Sequence, residues 1–137
     1  MIYYIADNHF GHKNVIRFDN RPFADTVLMD EVLVHNWNER VTEDDTVYIL
    51  GDCFWKNEEN SVKLIQRLKG HKHPIRGNHD RVHGRLRFYY ESIEHYAEIN
   101  DNDRLVILCH YPIPFYKNQH YGAVMLYGHV HNTREQD

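Results

Sequence analysis

The sequence predicts a mixed α/β domain. Three observations carry this reading: short apolar runs of strand length recur along the 137 residues, stretches of helical period separate the first three, and a polar motif follows most runs. One domain spanning 1–137 is expected, long enough for a real core. Apolar residues make up 42% and charged residues 26%, as in an ordinary globular domain.

The elements follow in order. Ile2–Ala6 is a first strand, apolar enough to be buried on both faces. Val15–Phe23 lacks a clean period and contains Arg21-Pro22, which predicts a short turn-rich helix and loop. Asp25 can cap a helix over Thr26–Arg40, with Met29, Leu33 and Trp37 on one stripe and Leu28 and Val32 beside it. Thr46–Leu50 is the second strand. Glu58 and Glu59 favour a helix start near Asn57, with Leu64, Ile65 and Leu68 inward and Gly70 as the stop.

His73–Arg76 reads as a third strand that Pro74 confines to a start or an edge. Arg87–Glu91 and Tyr96–Ile99 read as antiparallel strands, Leu105–Leu108 and Ala123–Tyr127 as further strands, and the proline- and aromatic-rich Tyr111–Tyr121 as a loop.

No apolar run is long enough to span a bilayer, and the first residues lack the pattern of a secretion signal, so a cytoplasmic location is expected. There Cys53 and Cys109 are expected to pack as small apolar side chains, with no structural disulfide. The formal charge of −4 gives no general attraction to nucleic acid or membrane, although a bound metal pair would reverse the local sign.

Five polar motifs carry the chemistry: Asp7-Asn8-His9, Gly51-Asp52, Gly77-Asn78-His79-Asp80, Cys109-His110 and Gly128-His129-Val130-His131. Residues just beyond strand ends are where open α/β sheets place ligands. In extended backbone Asp7 and His9 project to one side, a ligand pair suited to Mn²⁺, Fe or Zn²⁺. Taken alone such a triplet is more often a turn. Asp52 sits at a strand tip, where a carboxylate can bridge two cations; a turn or capping aspartate is the plainer reading. Asn78 can offer an amide oxygen, His79 can face substrate and Asp80 can orient His79, or the segment is a polar turn opening a short helix. His129 and His131 could serve two neighbouring ions. His12 can reach phosphate or cap a helix. Arg21 can contact substrate or brace a turn, and Phe54, Trp55 and Tyr116 can contact substrate or simply pack.

In this order the motifs resemble those of the calcineurin-like metallophosphoesterase superfamily, from residue 7 to residue 131. Asp7-Asn8-His9-Phe10-Gly11-His12 followed by Asn20-Arg21-Pro22-Phe23 is similar to a group of small bacterial and phage-type phosphoesterases. The resemblance implies a four-layer αββα sandwich with two mixed sheets, here compact and without the C-terminal strands usual in the family. It implies two divalent metal ions, Mn²⁺ first among Fe, Zn²⁺, Ni²⁺ and Mg²⁺. Asp7, His9 and His131 would hold one, Asn78, His110 and His129 the other, and Asp52 would bridge them. His79 would contact the phosphate or protonate the leaving oxygen, with Asp80 behind it.

The expected activity is hydrolysis of a small phosphomono- or phosphodiester, a nucleotide among the candidates, by a hydroxide bridging ions about 3.5–4 Å apart. Gly51-Asp52-Cys53-Phe54 and Asp80 depart from the family's Ser/Thr protein phosphatases and dinucleoside polyphosphate hydrolases. The alternatives are a non-catalytic protein-binding scaffold on the same fold, and a nuclease or cyclic-nucleotide phosphodiesterase. Arg81, Arg85 and Arg87 form no strong nucleic-acid patch. A homodimer or the metal itself is expected to order His131, six residues from the last residue.

Overall fold

The computed structural model describes residues 1–12, 16, 21–54, 58–78, 80 and 84–129. The expectations at Val15, 17–20, Trp55, Asn57, His79, Arg81 and His131 lie outside the described residues. Among the described residues, two three-stranded sheets and the two longer α-helices make a mixed α/β architecture. The strands are β1 (Ile2–Ile5), β2 (Thr46–Ile49), β3 (His71–Pro74), β4 (Tyr96–Asp101), β5 (Arg104–Cys109) and β6 (Val124–Leu126). The helices are α1 (Thr26–Arg40) and α2 (Glu58–Ile65).

The first sheet, β1-β2-β3, is parallel, with Ile2 opposite Thr46 and Thr46 opposite His71. In the second, β4-β5-β6, β4 and β5 are antiparallel and β6 runs parallel to β5. Asn102 and Asp103 join β4 to β5 at φ of 52° and 62°. Two consecutive positive φ angles make the hairpin turn whose twist matches that of its strands.

Alternation along β2 builds the layers. Val47 and Ile49 face a core with Val34, Trp37, Ile65 and Leu86. Tyr48 and Leu50 face the opposite core, with Val106 and Leu108 of the second sheet. The parallel sheet thus has helices on one face and the mixed sheet on the other, and its strand ends open on one rim. Across it, Tyr4, Tyr48 and His73 stack in register.

The helix over Thr26–Arg40 starts as the sequence dictates, with the Asp25 carboxylate accepting the Leu28 N–H at 2.8 Å. Its inner face keeps the expected stripe, since Met29 and Trp37 are buried and Leu33 packs on the core, and it gains Asp30 and Val34 while losing Leu28. Met29, Asp30, Val34 and Trp37 are buried, Leu33 and Val32 are half-buried, and Leu28 is exposed. Asp30 belongs inside because its carboxylate accepts the Gly11 N–H at 2.8 Å. A hydrophobic pattern discounts such a residue. Leu64 and Ile65 face inwards on α2 as expected, joined by Ser61 and Val62. The helix ends at Ile65 and not at Gly70, because the chain tightens there, with Arg67 and Leu68 N–H groups donating to the Leu64 and Ile65 carbonyls. The buried Leu68 lies in that turn.

The third strand begins two residues earlier than expected, at His71. Pro74 ends it on the side away from β2, since Ile75 N–H donates to Ile49 at 2.7 Å and residues alternate in direction. Arg87–Glu91 is not a strand: Gly84–Tyr89 forms a 3₁₀ helix that buries Leu86. The outer edge of β3 is already taken, because Glu91 and Glu94 N–H groups donate to Lys72 and Pro74 carbonyls at 2.9 and 3.1 Å. Every residue of β1 is half-buried, not buried on both faces, because β1 ends the described sheet order. Among the described residues no helix is long and apolar enough to cross a membrane. Cys53 is buried, Cys109 half-buried, and both are free thiols.

Candidate metal centre

The motifs converge just past the carboxyl ends of β1, β2, β3, β5 and β6. Beyond the strands the first two loops zip together, with Asp7 N–H donating to Gly51 (3.1 Å), His9 to Asp52 (2.9 Å) and Phe10 to Cys53 (2.8 Å). Phe10 and Phe54 seal this zipper from the core side, their rings stacked at 5.3 Å and both buried. Phe54 is therefore a packing residue and not an exposed substrate contact.

Asp52 is the hub. Asp7, His9 and Asp52 form one group whose ligand atoms lie within 4.8 Å of one another, and Asp52, His110 and His129 form a second. The Asp52 Oδ2 lies 3.8 Å from His9 Nε2 and 3.2 Å from His110 Nε2. His9 Nε2 is also 3.9 Å from Asp7 Oδ1. Asn78 joins the second group through Oδ1, 3.1 Å from His110 Nε2. Of the seven expected ligands, six come together, and the seventh, His131, lies outside the described residues. Asp52, His9 and His110 form a buried floor, while Asp7 is half-buried and His129 and Asn78 are exposed, so the cluster opens on one side.

Close approach explains the glycines. A Cβ at Gly51 would overlap the His110 ring, one at Gly77 would overlap the Asp52 carboxylate, and one at Gly128 would come within 2.6 Å of Asp7 Oδ2. Asp7, His9, Asp52 and His129 all have left-handed backbone, at φ of 53°, 53°, 52° and 72°. Such strain, about 1–3 kcal/mol per residue, clusters at functional sites.

His110 is held by its Nδ1–H, which donates to the Leu50 carbonyl at 2.7 Å and turns Nε2 towards Asp52. Burial alone would lower its pKa. The Asp52 hydrogen bond, the Leu50 carbonyl and the negative charges of Asp52 and Asp7 outweigh that and raise it. Burial, and then the negative charges of Asp80 and Asp52, push the Cys53 thiol well above its ordinary pKa.

Four neighbours have roles that motif spacing does not reveal. The Asp80 carboxylate accepts backbone N–H groups of Asp52 (2.8 Å), Gly77 (2.7 Å) and Cys53 (3.1 Å), clamping the Asp52 turn to the third motif. Arg21, a candidate substrate contact, donates instead to the Asp7 and Asn8 carbonyls at 2.6 and 2.7 Å and braces the first turn. His12 Nδ1 lies 2.9 Å from His9 Nδ1. The half-exposed Tyr111 ring packs edge-on against His110 and His129 at 5.0 and 4.7 Å, a wall that an aromatic directly after His110 could have suggested.

The donor set fits divalent cations. Two carboxylates, an amide oxygen and three imidazoles are hard to borderline ligands, and no thiolate joins them. An imidazole oriented by a carbonyl acceptor, as His110 is by Leu50, is the usual company of such ions.

No family model matches the chain. It is similar to the "Uncharacterized protein MJ1445" of Methanocaldococcus jannaschii, 35% identical over 132 residues that cover 95% of this chain and 69% of that protein. It is also similar to the "Gene 66 protein" of Mycobacterium phage L5, 36% identical over 85 residues (59% of this chain, 40% of that one). The "Gene 66 protein" of Mycobacterium phage D29 is 26% identical over 159 aligned positions, covering 96% of this chain and 78% of that one. Among solved structures, the protein of unknown function AQ665 from Aquifex aeolicus superposes with a TM-score of 0.77 at 28% identity, over 98% of this chain and 81% of that one.

Proposed function

The chain belongs to the family of the Methanocaldococcus jannaschii protein MJ1445, and we propose that it is a dinuclear-metal phosphoesterase with the αββα sandwich of the calcineurin-like superfamily. Helices, parallel sheet and mixed sheet supply three of the four layers this reading requires. The observation that carries it is the sharing of Asp52 between two ligand groups. A lone metal needs one cage; a carboxylate common to two groups suits a pair.

Asp7 and His9 would hold the first ion with His131, and Asn78, His110 and His129 the second, with Asp52 between. Such ions, when bound, supply an activated water and charge neutralisation at a phosphoryl group. The chain's own residues do the rest. His110 keeps its proton on Nδ1 through Leu50, leaving Nε2 to ligate. Asp80 fixes the backbone of the bridging residue. His79 would protonate the leaving oxygen, worth about 10²–10⁴ in rate. The open side beside His129 and Tyr111 would admit a small phosphoester, and two free thiols suit a reducing cytoplasm.

The test strips the protein of metal, restores Mn²⁺, Fe²⁺, Zn²⁺, Ni²⁺ or Mg²⁺ singly, and offers a phosphomonoester, a diester and a cyclic nucleotide. Hydrolysis with at least one ion is expected, and none with any ion would favour a protein-binding scaffold. His79→Ala should keep both ions and lose turnover, whereas Asp52→Asn should lose ions as well. Equal metal loss in the two variants would refute this division of labour.

A further inference from the structure

His12 lies beside the first ligand group without belonging to it. Its N–H donates to the His9 carbonyl at 2.9 Å, closing a tight turn through Gly11. Asp30 pins that turn from α1 by accepting the Gly11 N–H. The two rings lie edge to edge, with centroids 5.1 Å apart and planes 26° from parallel. Their Nδ1 atoms are 2.9 Å apart.

Two ring nitrogens at that separation share one proton, so one donates and the other accepts. His9 turns its other nitrogen, Nε2, towards Asp7 Oδ1 and Asp52 Oδ2. An imidazole that ligates through Nε2 must carry its proton on Nδ1, and that N–H needs an acceptor. The acceptor beside it is His12 Nδ1.

We infer that His12 is a positioning residue: it accepts the Nδ1–H of His9 and fixes the tautomer whose Nε2 lone pair faces Asp7 and Asp52. His12 in turn carries its own proton on Nε2. This rests on the two-metal reading above and replaces the expectation that His12 binds phosphate directly. It also explains why the first loop closes as a tight turn: two histidine rings must be held against each other by backbone.

The test compares His12→Phe, which keeps a ring without the acceptor, with His12→Asn, whose Oδ1 can replace Nδ1. Stripped full-length protein is titrated with Co²⁺ and followed by visible absorption, with metal-free melting curves recorded in parallel. His12→Phe should weaken one of the two binding steps about 10–100-fold. His12→Asn should recover most of that loss, and the other step should not move. Should His12→Phe fail to fold, long-range ¹H–¹⁵N spectra of the Zn²⁺-loaded wild type decide, with His9 protonated at Nδ1 expected. A His9 protonated at Nε2, or a His12→Phe variant that binds both ions as tightly as wild type, overturns the proposal. A wild type that binds no ion refutes the two-metal reading itself and the proposal with it.

Discussion

Replacing Gly51 by alanine tests how tightly the Asp52 turn is built against His110. Gly51 has φ of +86°, and an added Cβ would overlap the His110 ring and come 2.8 Å from Gly77 Cα. The backbone term costs an L-residue about 1–2 kcal/mol. The contact term follows from His110, which is fully buried and cannot retreat without losing its 2.7 Å bond to Leu50. A buried partner left unsatisfied costs about 1–3 kcal/mol, so Gly51→Ala should lose about 2–5 kcal/mol. Gly122 provides the control, with φ of +88° and nothing within 4 Å of its added Cβ. Gly122→Ala should therefore lose the backbone term alone. Urea midpoints of the two metal-free variants give the difference directly, and metal titration should show weakened binding in Gly51→Ala only. Equal destabilisation of the two variants would refute the close-packing argument.

Asp80→Asn puts an NH₂ group where a carboxylate oxygen now meets backbone N–H donors, so at least one donor among Asp52, Gly77 and Cys53 loses its acceptor. The expected loss is about 1–3 kcal/mol in urea unfolding with weaker metal binding, and a variant as stable as wild type would exclude the clamp. His73 is held below its ordinary pKa chiefly by burial and then by His71, with Glu91 pulling the other way. The unfolded chain therefore takes up this proton first on acidification, so stability present above pH about 6.5 falls as pH drops towards the folded value. His73→Phe, which can keep the stack on Tyr48, should flatten that slope in pH-dependent urea midpoints, and an unchanged slope would contradict the assignment. A saturating divalent ion at 100 times its Kd should stabilise wild type by about 2.7 kcal/mol and Asp52→Asn much less. Identical melting points with and without ions would argue against a cation site.

The candidate ligands were legible because most follow an apolar run, and strand ends are where a parallel sheet presents short, held loops. Asp52 illustrates the reach of that logic: Gly51 before it and Val47–Leu50 behind it place a carboxylate at a rim. What escaped was whatever depends on a side chain meeting distant backbone. Arg21 reads as a turn brace or a substrate contact, and only the fold, which brings the Asp7 carbonyl to it, decides for the brace. Asp80 reads as a partner of its neighbour until Asp52 N–H arrives from 28 residues away. Asp30 was missed on the inner face of α1 for the same reason, since its partner, the Gly11 N–H, is distant in sequence. Arg87–Glu91 carried strand-forming residues, but with the edge of β3 occupied Arg87, Phe88 and Tyr89 coil into the 3₁₀ helix.

The strain pattern and the hydrogen-bond pattern answer each other. Left-handed backbone at Asp7, His9, Asp52 and His129 costs about 1 kcal/mol or more at each, a sizeable share of a stability of about 5–15 kcal/mol. Aspartate and histidine tolerate that region better than most residues, yet the other such non-glycine residues described, Asn102, Asp103 and Asn118, lie in exposed segments where nothing converges. At the rim the same conformation turns side chains inwards while the freed N–H groups find new acceptors. His9 N–H goes to the Asp52 carbonyl, Asp52 N–H to Asp80, and His129 N–H to the Asp7 carboxylate at 3.1 Å. The backbones of Asp7, His9, Asp52 and His129 are therefore each held by another motif of the set, so moving one displaces its neighbours. A cluster merely tolerated at a surface has no reason to be cross-braced in this way; a cage that must meet cations with its geometry already fixed does.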